Sequence, residues 1–258
     1  MSNFKRYSAY YDLLYRNKDY NAEAEYVAQL LRAKRPDAKT VLEFGSGTGR
    51  HGQLLAAKGF KIHGIERSAD MVAIARANMQ LPEPDCGNFS CEVGDICEMR
   101  LNQRFDAVIA LFHVMSYLTT NDSLRAAFRT AAYHLTPRGI FLFDVWHGPA
   151  VLTERPSRRV REVTDGGLRV TRTASPFLDT NLATVNVVYD LECENVSAGE
   201  KVQIREEHLM RYLFPTEIGM LADECGLTCV KTEEFLTGNA PSPATWSVAY
   251  LLKLRSIA

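Results

Sequence analysis

No sign of charge dominates this chain. Its 30 Lys and Arg stand against 31 Asp and Glu, for a formal net charge of −1. Wholesale electrostatic attraction to nucleic acid needs a basic excess, so no nucleic-acid partner is expected. Long apolar runs are missing as well; Ala107 to Met115 is too short to span a bilayer. The start, Met1-Ser2-Asn3-Phe4-Lys5-Arg6, lacks the apolar stretch of a signal peptide. Together these absences predict a cytoplasmic protein with no membrane partner. The six cysteines (Cys86, Cys91, Cys97, Cys193, Cys225 and Cys229) form no Cys-x-x-Cys pair and have no His at zinc spacing. Free buried thiols are expected, and no metal. There is no internal repeat and no low-complexity tract, and 258 residues are enough to bury a full core without staples.

What is present is a glycine-rich turn. Val41-Leu42-Glu43-Phe44-Gly45-Ser46-Gly47-Thr48-Gly49 reads as a buried strand entering a turn, with a helix from Arg50 to Lys58 that Gly59 stops. Glycines there let backbone approach a ligand where a side chain would clash. Glu43 at the strand end suits a ligand carrying an amine or hydroxyls. About 20 residues on, Lys61-Ile62-His63-Gly64-Ile65-Glu66 ends in a second acid, the expected grip on a ribose diol. Gly47-Thr48-Gly49-Arg50-His51-Gly52 also fits Gly-x-Gly-x-x-Gly, the dinucleotide fingerprint. It begins two residues late, because Gly45 already occupies the strand end.

Strands and helices alternate through Val145. A helix spans Asn21 to Lys34, strands cover Thr40–Phe44, Lys61–Glu66, Phe89–Val93, Phe105–Leu111 and Ile140–Val145, and Ser68 caps a helix from Ala69 to Met79. Leu81 to Asn88 is a loop, and Asn121–Leu135 is a helix ended by Pro137 and Gly139. The continuous apolar run at Phe105–Leu111 suits a parallel sheet covered on both faces. The pattern then changes. Val160–Arg172, Val185–Glu194 and Val202–Arg211 alternate polar and apolar, with turns at Asp165-Gly166-Gly167 and Ser197-Ala198-Gly199. A helix from Pro215 to about Cys225 and strands at Thr228–Leu236 and Thr245–Leu254 complete the chain. The fold class is therefore α/β: a doubly wound, mostly parallel Rossmann-like sheet with an inserted antiparallel β-sheet. Residues 1–150 and 212–258 form the nucleoside-binding domain, and 151–211 form the insertion.

Glu43-x-Gly45-x-Gly47-x-Gly49, Glu66 and Gly94-Asp95-Ile96, in register on three strand ends, resemble the nucleoside-binding motifs of class I S-adenosylmethionine-dependent methyltransferases. The resemblance implies S-adenosylmethionine as methyl donor, with S-adenosylhomocysteine as product. It implies donor contacts from Glu43, Gly45, Gly47, Gly49, Glu66, Arg67, Met71, Asp95, Ile96 and Leu111. Phe112-His113-Val114-Met115-Ser116-Tyr117 replaces the Asn/Asp-Pro-Pro-Tyr of base-modifying enzymes and is similar to enzymes acting on sugars and nucleotide-linked sugars. Tyr7-Ser8-Ala9-Tyr10-Tyr11-Asp12 resembles that group's N-terminal lid, and Asp144-Val145-Trp146-His147-Gly148-Pro149 also fits. Related amino-sugar N-methyltransferases often carry a histidine at Tyr117, a departure that bears on amine specificity.

The expected partner is a small molecule, most plausibly a sugar or nucleotide-linked sugar methylated on a hydroxyl or an amine. The alternatives are an NAD-dependent oxidoreductase, an RNA methyltransferase and a non-catalytic S-adenosylmethionine-binding module. Candidate catalytic residues are His113, His147, Tyr11 and Tyr117. His113 and His147 are each either a general base or a hydrogen-bonded structural histidine. Two such bases flanking the methyl tilt the expectation toward a hydroxyl, which benefits from a positioned base. Tyr11 either lines the donor pocket or anchors the N-terminal segment. Met71 either packs on an adenine face or fills the core, and His51 is expected as an ordinary first-turn helix residue. Arg155, Arg158, Arg159, Arg161, Arg169 and Arg172 are either a solvated strand face or a phosphate grip. Arg16 and Arg50 both remain open for the donor carboxylate. The inserted sheet is expected to cover the substrate and to offer a homodimer contact.

Overall fold

A computed structural model of the protein describes residues 8–79, 87–195 and 199–255. Tyr7, Cys86, most of the Leu81–Asn88 loop and the Ser197-Ala198 part of one expected turn lie outside the described residues. In chain order the elements are α1 (Ser8–Leu14), α2 (Tyr20–Lys34), β1 (Thr40–Phe44), α3 (Arg50–Ala57), β2 (Lys61–Glu66), α4 (Ala69–Ala77), β3 (Phe89–Val93) and β4 (Phe105–Ala110). A short 3-10 helix (Val114–Tyr117) follows, then α5 (Asn121–His134), β5 (Leu135–Trp146) and α6 (Gly148–Glu154). The remainder is β6 (Arg159–Asp165), β7 (Leu168–Asp179), β8 (Thr184–Asn195), β9 (Glu200–Arg211), α7 (Pro215–Glu224), β10 (Leu227–Glu234) and β11 (Ser247–Leu254).

Seven strands form one sheet in the order β10-β11-β5-β4-β1-β2-β3. It is parallel except at β11, which runs antiparallel to both β5 and β10. The order reverses between β1 and β4, so the crevice beyond their C-terminal ends is the place where such a sheet receives a ligand. Helices cover both faces. One core layer joins Leu42, Phe44, Phe128, Phe141, Phe143 and Tyr250; the other joins Val27, Leu31, Val41, Leu55, Ile109 and Leu142. Alternate residues of β1 and β5 thus feed opposite layers, as the two-residue period of a strand requires.

Helix ends follow local chemistry. Asp19 accepts from the Ala22 N–H at the start of α2, and Ser68 accepts from the Met71 N–H at the start of α4. Thr120 and Ser123 cap α5 reciprocally. Pro215 occupies the first turn of α7, where a missing N–H does no harm.

The second sheet, β6-β7-β8-β9, is wholly antiparallel. Its inner face carries Val163, Val170, Leu191, Cys193 and Ile204, and Leu14 of α1 is buried among them. Helix α1, which the sequence reading left unassigned, therefore packs on the second sheet. It also reaches the first sheet's glycine turn: the Thr48 hydroxyl donates to Asp12 Oδ1 at 2.9 Å.

The edges of β1 and β4 are joined by Asp106. Its Oδ2 accepts from the Lys39 N–H (2.9 Å), the Thr40 N–H (3.0 Å) and the Thr40 hydroxyl (3.0 Å), and its Oδ1 lies 3.0 Å from Arg35 Nη2. Burial opposes the charge, yet these donors hold the Asp106 carboxyl below the usual carboxylate range. Asp106→Ala is expected to lower unfolding stability by about 2–4 kcal/mol, because it leaves two backbone donors and Arg35 short of their acceptor. A shift of the urea midpoint at constant slope checks this.

Candidate active site

The turn after β1 is bound to β2 by its backbone. The Gly45 and Ser46 N–H groups both donate to the Ile65 carbonyl, at 2.8 and 3.2 Å. Gly45 has φ +65°, and a Cβ there would lie 2.5 Å from a Val114 methyl. Glycine at this position therefore lets the turn sit directly against the 3-10 helix that follows β4. Above this junction opens a cleft of about 690 Å³.

One wall of the cleft comes from the strand ends of the first sheet: Gly45, Ser46, Gly47, Thr48, Glu66, Arg67, Met71, Asp95, Ile96 and Leu111. Glu66 is held in place by the Gly47 N–H on Oε2 (3.0 Å) and the Ser68 N–H on Oε1 (2.8 Å). Burial raises its carboxyl above the usual range in spite of these bonds. Asp95 accepts from the Cys97 N–H through Oδ1 at 2.8 Å. Ser46 Oγ is buried with no hydrogen-bond partner among the described residues, and its residue lines the cleft. Two acceptor carboxylates on neighbouring strand ends, an open glycine turn and an unpaired buried hydroxyl fit a nucleoside bearing a ribose diol and an amino group.

The opposite wall is aromatic. It is built by Tyr11 of α1, Tyr15 just after it, Tyr20, Phe112, Tyr117, Trp146 of β5, and Tyr189 and His208 of the second sheet. Tyr15 stands edge-on to Phe112, with ring centroids 5.2 Å apart. Arg172 donates to the Tyr15 hydroxyl at 3.0 Å and lies over the Tyr189 ring at 4.8 Å.

Between the walls the backbone is strained. Phe112 and His113 both have left-handed φ, +63° and +64°. Consecutive non-glycine residues in that region persist only where their surroundings over-determine them. Asp144 does so here: its Oδ1 accepts from the His113 N–H at 3.2 Å and its Oδ2 lies 2.7 Å from His113 Nδ1. Ser247 adds a hydroxyl donor at 3.1 Å. Burial resists the Asp144 charge, but the His113 imidazole and these hydrogen bonds outweigh it, and the carboxyl stays below the usual range.

Most of the anticipated residues meet at the cleft: Tyr11, His113 and Tyr117, together with Gly45, Gly47, Glu66, Arg67, Met71, Asp95, Ile96 and Leu111. His147 does not. Trp146 lines the cleft, so the next residue of the extended chain points the other way. The His147 N–H donates to the Trp246 carbonyl (3.0 Å), its ring is buried, and its Nδ1 has no partner among the described residues. Glu43 and Gly49 also lie off the cleft. Glu43 is buried under Gly52, where a Cβ would come within 2.4 Å of the Phe89 ring and 2.7 Å of Glu43 Oε2. The third glycine of the dinucleotide fingerprint thus serves packing. Arg50 lines the cleft beside Asp12, whereas Arg16 pairs with Asp165 outside it. The cleft lining takes Arg172's neighbours but none of Arg155, Arg158, Arg159, Arg161 or Arg169.

Sequence reasoning missed Tyr20, Trp146, Tyr189 and His208, and it placed His51 in the first turn of α3 without seeing that it faces the cleft. His51 Nε2 lies 2.7 Å from Glu23 Oε2, and burial holds its imidazole below the usual range.

A cleft with ribose-gripping acids at the switch point of a doubly wound sheet, roofed by a second sheet, defines a Rossmann-like nucleotide-binding fold. A methyltransferase-domain family matches residues 41–139. A dTDP-3-amino-3,6-dideoxy-alpha-D-glucopyranose N,N-dimethyltransferase of Streptomyces fradiae is 33% identical over 181 residues, 69% of this chain and 68% of that protein. A dTDP-3-amino-3,4,6-trideoxy-alpha-D-glucopyranose N,N-dimethyltransferase of Streptomyces venezuelae is 35% identical over 56% of this chain; the match spans 59% of that relative's length. Among solved structures, Streptomyces venezuelae DesVI superposes with a TM-score of 0.78 at 25% identity, covering 97% of this chain and 98% of that one. An amino pentose methyltransferase from Micromonospora echinaspora, solved with S-adenosylmethionine bound, gives 0.74 at 25% identity with 97% of both chains covered. The chain belongs to the S-adenosylmethionine-dependent methyltransferase family.

Burial, with the neighbouring Glu66 charge, pushes the Glu43 carboxyl up to about 8. The folded state then holds a proton that the unfolded chain gives up near pH 4.5, so the stabilising effect of this group is full at low pH and fades as pH rises toward 8. Glu43→Gln is expected to flatten that decline, gaining on the order of 1 kcal/mol or more over the native chain between pH 5 and pH 8. Urea unfolding at the two pH values measures it.

Proposed function

We propose that the protein transfers a methyl group from S-adenosylmethionine to the amino group of a nucleotide-linked deoxysugar. The observation that carries this reading is the two-walled cleft. Its strand-end wall offers acceptors for a nucleoside, and its aromatic wall, with Tyr11, Tyr15, Tyr117, Trp146 and Tyr189, offers flat faces for a small acceptor. The amino-sugar dimethyltransferases among its relatives support the same substrate class.

When bound, S-adenosylmethionine supplies an already activated sulfonium methyl, so the work of the chain is orientation. Glu66 and Asp95 would hold the nucleoside, and the 3-10 helix and α1 would hold the acceptor in line, at a reacting distance of about 3 Å. Two histidines at the methyl would favour a hydroxyl acceptor. With His147 turned away, one of the two bases that a hydroxyl acceptor calls for is lost from the cleft, and an amine, basic in its own right once it has lost a proton, fits better. The dinucleotide alternative loses support because Gly49 and Gly52 are packing positions against Phe89.

Calorimetric titration with S-adenosylhomocysteine should give saturable binding, weakened tenfold or more (about 1.4 kcal/mol) in Glu66→Ala, with no binding of NAD. Incubation with S-adenosylmethionine and dTDP-3-amino-3,6-dideoxyglucose should add methyl groups by mass spectrometry, and the 3-hydroxy sugar nucleotide should stay unmodified. His147→Ala should turn over at the native rate. Methylation of the hydroxy sugar alone, or NAD binding alone, overturns the reading.

A further inference from the structure

Strand β9 alternates, so Ile204, Glu206, His208 and Met210 share its inner face. His208 is 1% exposed, and its residue lines the cleft. Its Nδ1 lies 2.9 Å from the Tyr117 hydroxyl, and its Nε2 lies 3.6 Å from Glu206 Oε2. The Tyr189 ring stands edge-on to the imidazole at 4.9 Å. A phenol, an imidazole and a carboxylate thus run in series from the cleft into the second sheet. At 3.6 Å the Glu206 carboxylate lies beyond hydrogen-bond reach of Nε2 and acts on the ring through its charge; that charge favours the tautomer with the proton on Nε2, which leaves Nδ1 to accept the Tyr117 O–H.

We infer that Tyr117, His208 and Glu206 form a proton relay that takes the proton from the acceptor amine. This inference rests on the methyl-transfer reading. An amino sugar reaches the enzyme largely as its ammonium ion, which has no lone pair for the methyl. In the step, an acceptor N–H bond breaks and its proton passes to the Tyr117 oxygen as the Tyr117 proton passes to His208 Nδ1. The amine regains its lone pair, and the charge moves to an imidazolium facing the Glu206 carboxylate. Release of that proton to solvent resets the relay for a second methylation. Burial and the nearby Tyr189, Tyr15 and Glu206 push the Tyr117 phenol well above its ordinary value, so Tyr117 hands protons on and does not stand as phenolate. Glu206 of β9, Tyr189 of β8 and Tyr117 face the imidazole, Arg172 of β7 lies over the Tyr189 ring, and Tyr15, just past α1, and Glu66 of β2 act on the Tyr117 phenol. Tyr117 is the catalytic residue of the set, and His208 and Glu206 position and discharge it. His113 faces the same cleft, and Asp144 on its Nδ1 leaves its Nε2 as the competing acceptor, which the His113→Ala arm of the test separates.

Two measurements test the relay. In the 15N-labelled native protein, two-bond proton–nitrogen correlations should place the His208 proton on Nε2, and Tyr117→Phe should shift Nδ1 as its donor disappears. A proton on Nδ1 overturns the relay, whatever acceptor the enzyme uses. In single turnovers with dTDP-3-amino-3,6-dideoxyglucose, Tyr117→Phe and His208→Gln should each slow methylation by about 10²-fold. They should abolish the native solvent deuterium effect and keep S-adenosylhomocysteine affinity within about twofold of native, the free-energy scale being that of the binding constant. Native-rate turnover in both variants, or loss confined to His113→Ala, overturns the relay. Failure of the substrate reading shows separately, as native protein that binds S-adenosylhomocysteine and methylates no amino sugar; the His208 tautomer then decides the relay alone.

Discussion

The site depends on one buried carboxylate. Asp144, near the end of β5, gathers the His113 amide and imidazole and the Ser247 hydroxyl around a charge that water does not reach. Those bonds tie β5 to β11 on one side and to the turn after β4 on the other. They also stabilise two successive left-handed residues that would otherwise relax toward ordinary backbone. The turn so fixed delivers Val114 against Gly45, and through that contact the glycine turn, the 3-10 helix and the floor of the cleft share one geometry. Removing the charge would leave an imidazole and a strained backbone without their common partner, so Asp144 matters to shape before it matters to chemistry.

The two sheets divide the labour of the cleft. The parallel sheet supplies polar groups at fixed strand ends: Glu66 locked by two backbone donors, Asp95 locked by a third. The antiparallel sheet supplies bulk and aromatic surface, with Tyr189 and His208 on its inner face. Helix α1 joins the halves, with Leu14 sunk into the second sheet and Asp12 on the hydroxyl of Thr48. Tyr10, Tyr11 and Leu13 pack around Leu14 on the same sheet, so this short helix owes its place to contacts with both halves of the cleft.

The nucleoside half was legible in the sequence because its chemistry is local. A glycine turn, an acid ending the next strand and an acid after the third each announce themselves within a few residues, and all three sites fall on the cleft. The strand ranges of β1, β2 and β3 were read as they stand. Glu43 was readable as a motif but not as a buried group, since its distance from the cleft is decided by Gly52 and Phe89, far apart in the chain. His147 was misplaced by one position of strand alternation: Trp146 took the face expected of its neighbour. His208 was invisible, because its meeting with Tyr117 crosses 91 residues and depends on the register of β8 against β9. Helix α1 escaped for a similar reason: its seven residues gain order from the sheet they cover.

One consequence concerns how such a protein can change its taste. The second sheet is a single unbroken stretch of chain, from Arg159 to Arg211, entered from β5 through α6 and left just before α7. The donor half is assembled from strands on either side of it. A change confined to this stretch therefore leaves the strand ends that carry Glu66 and Asp95, and the turns beside them, outside the altered segment.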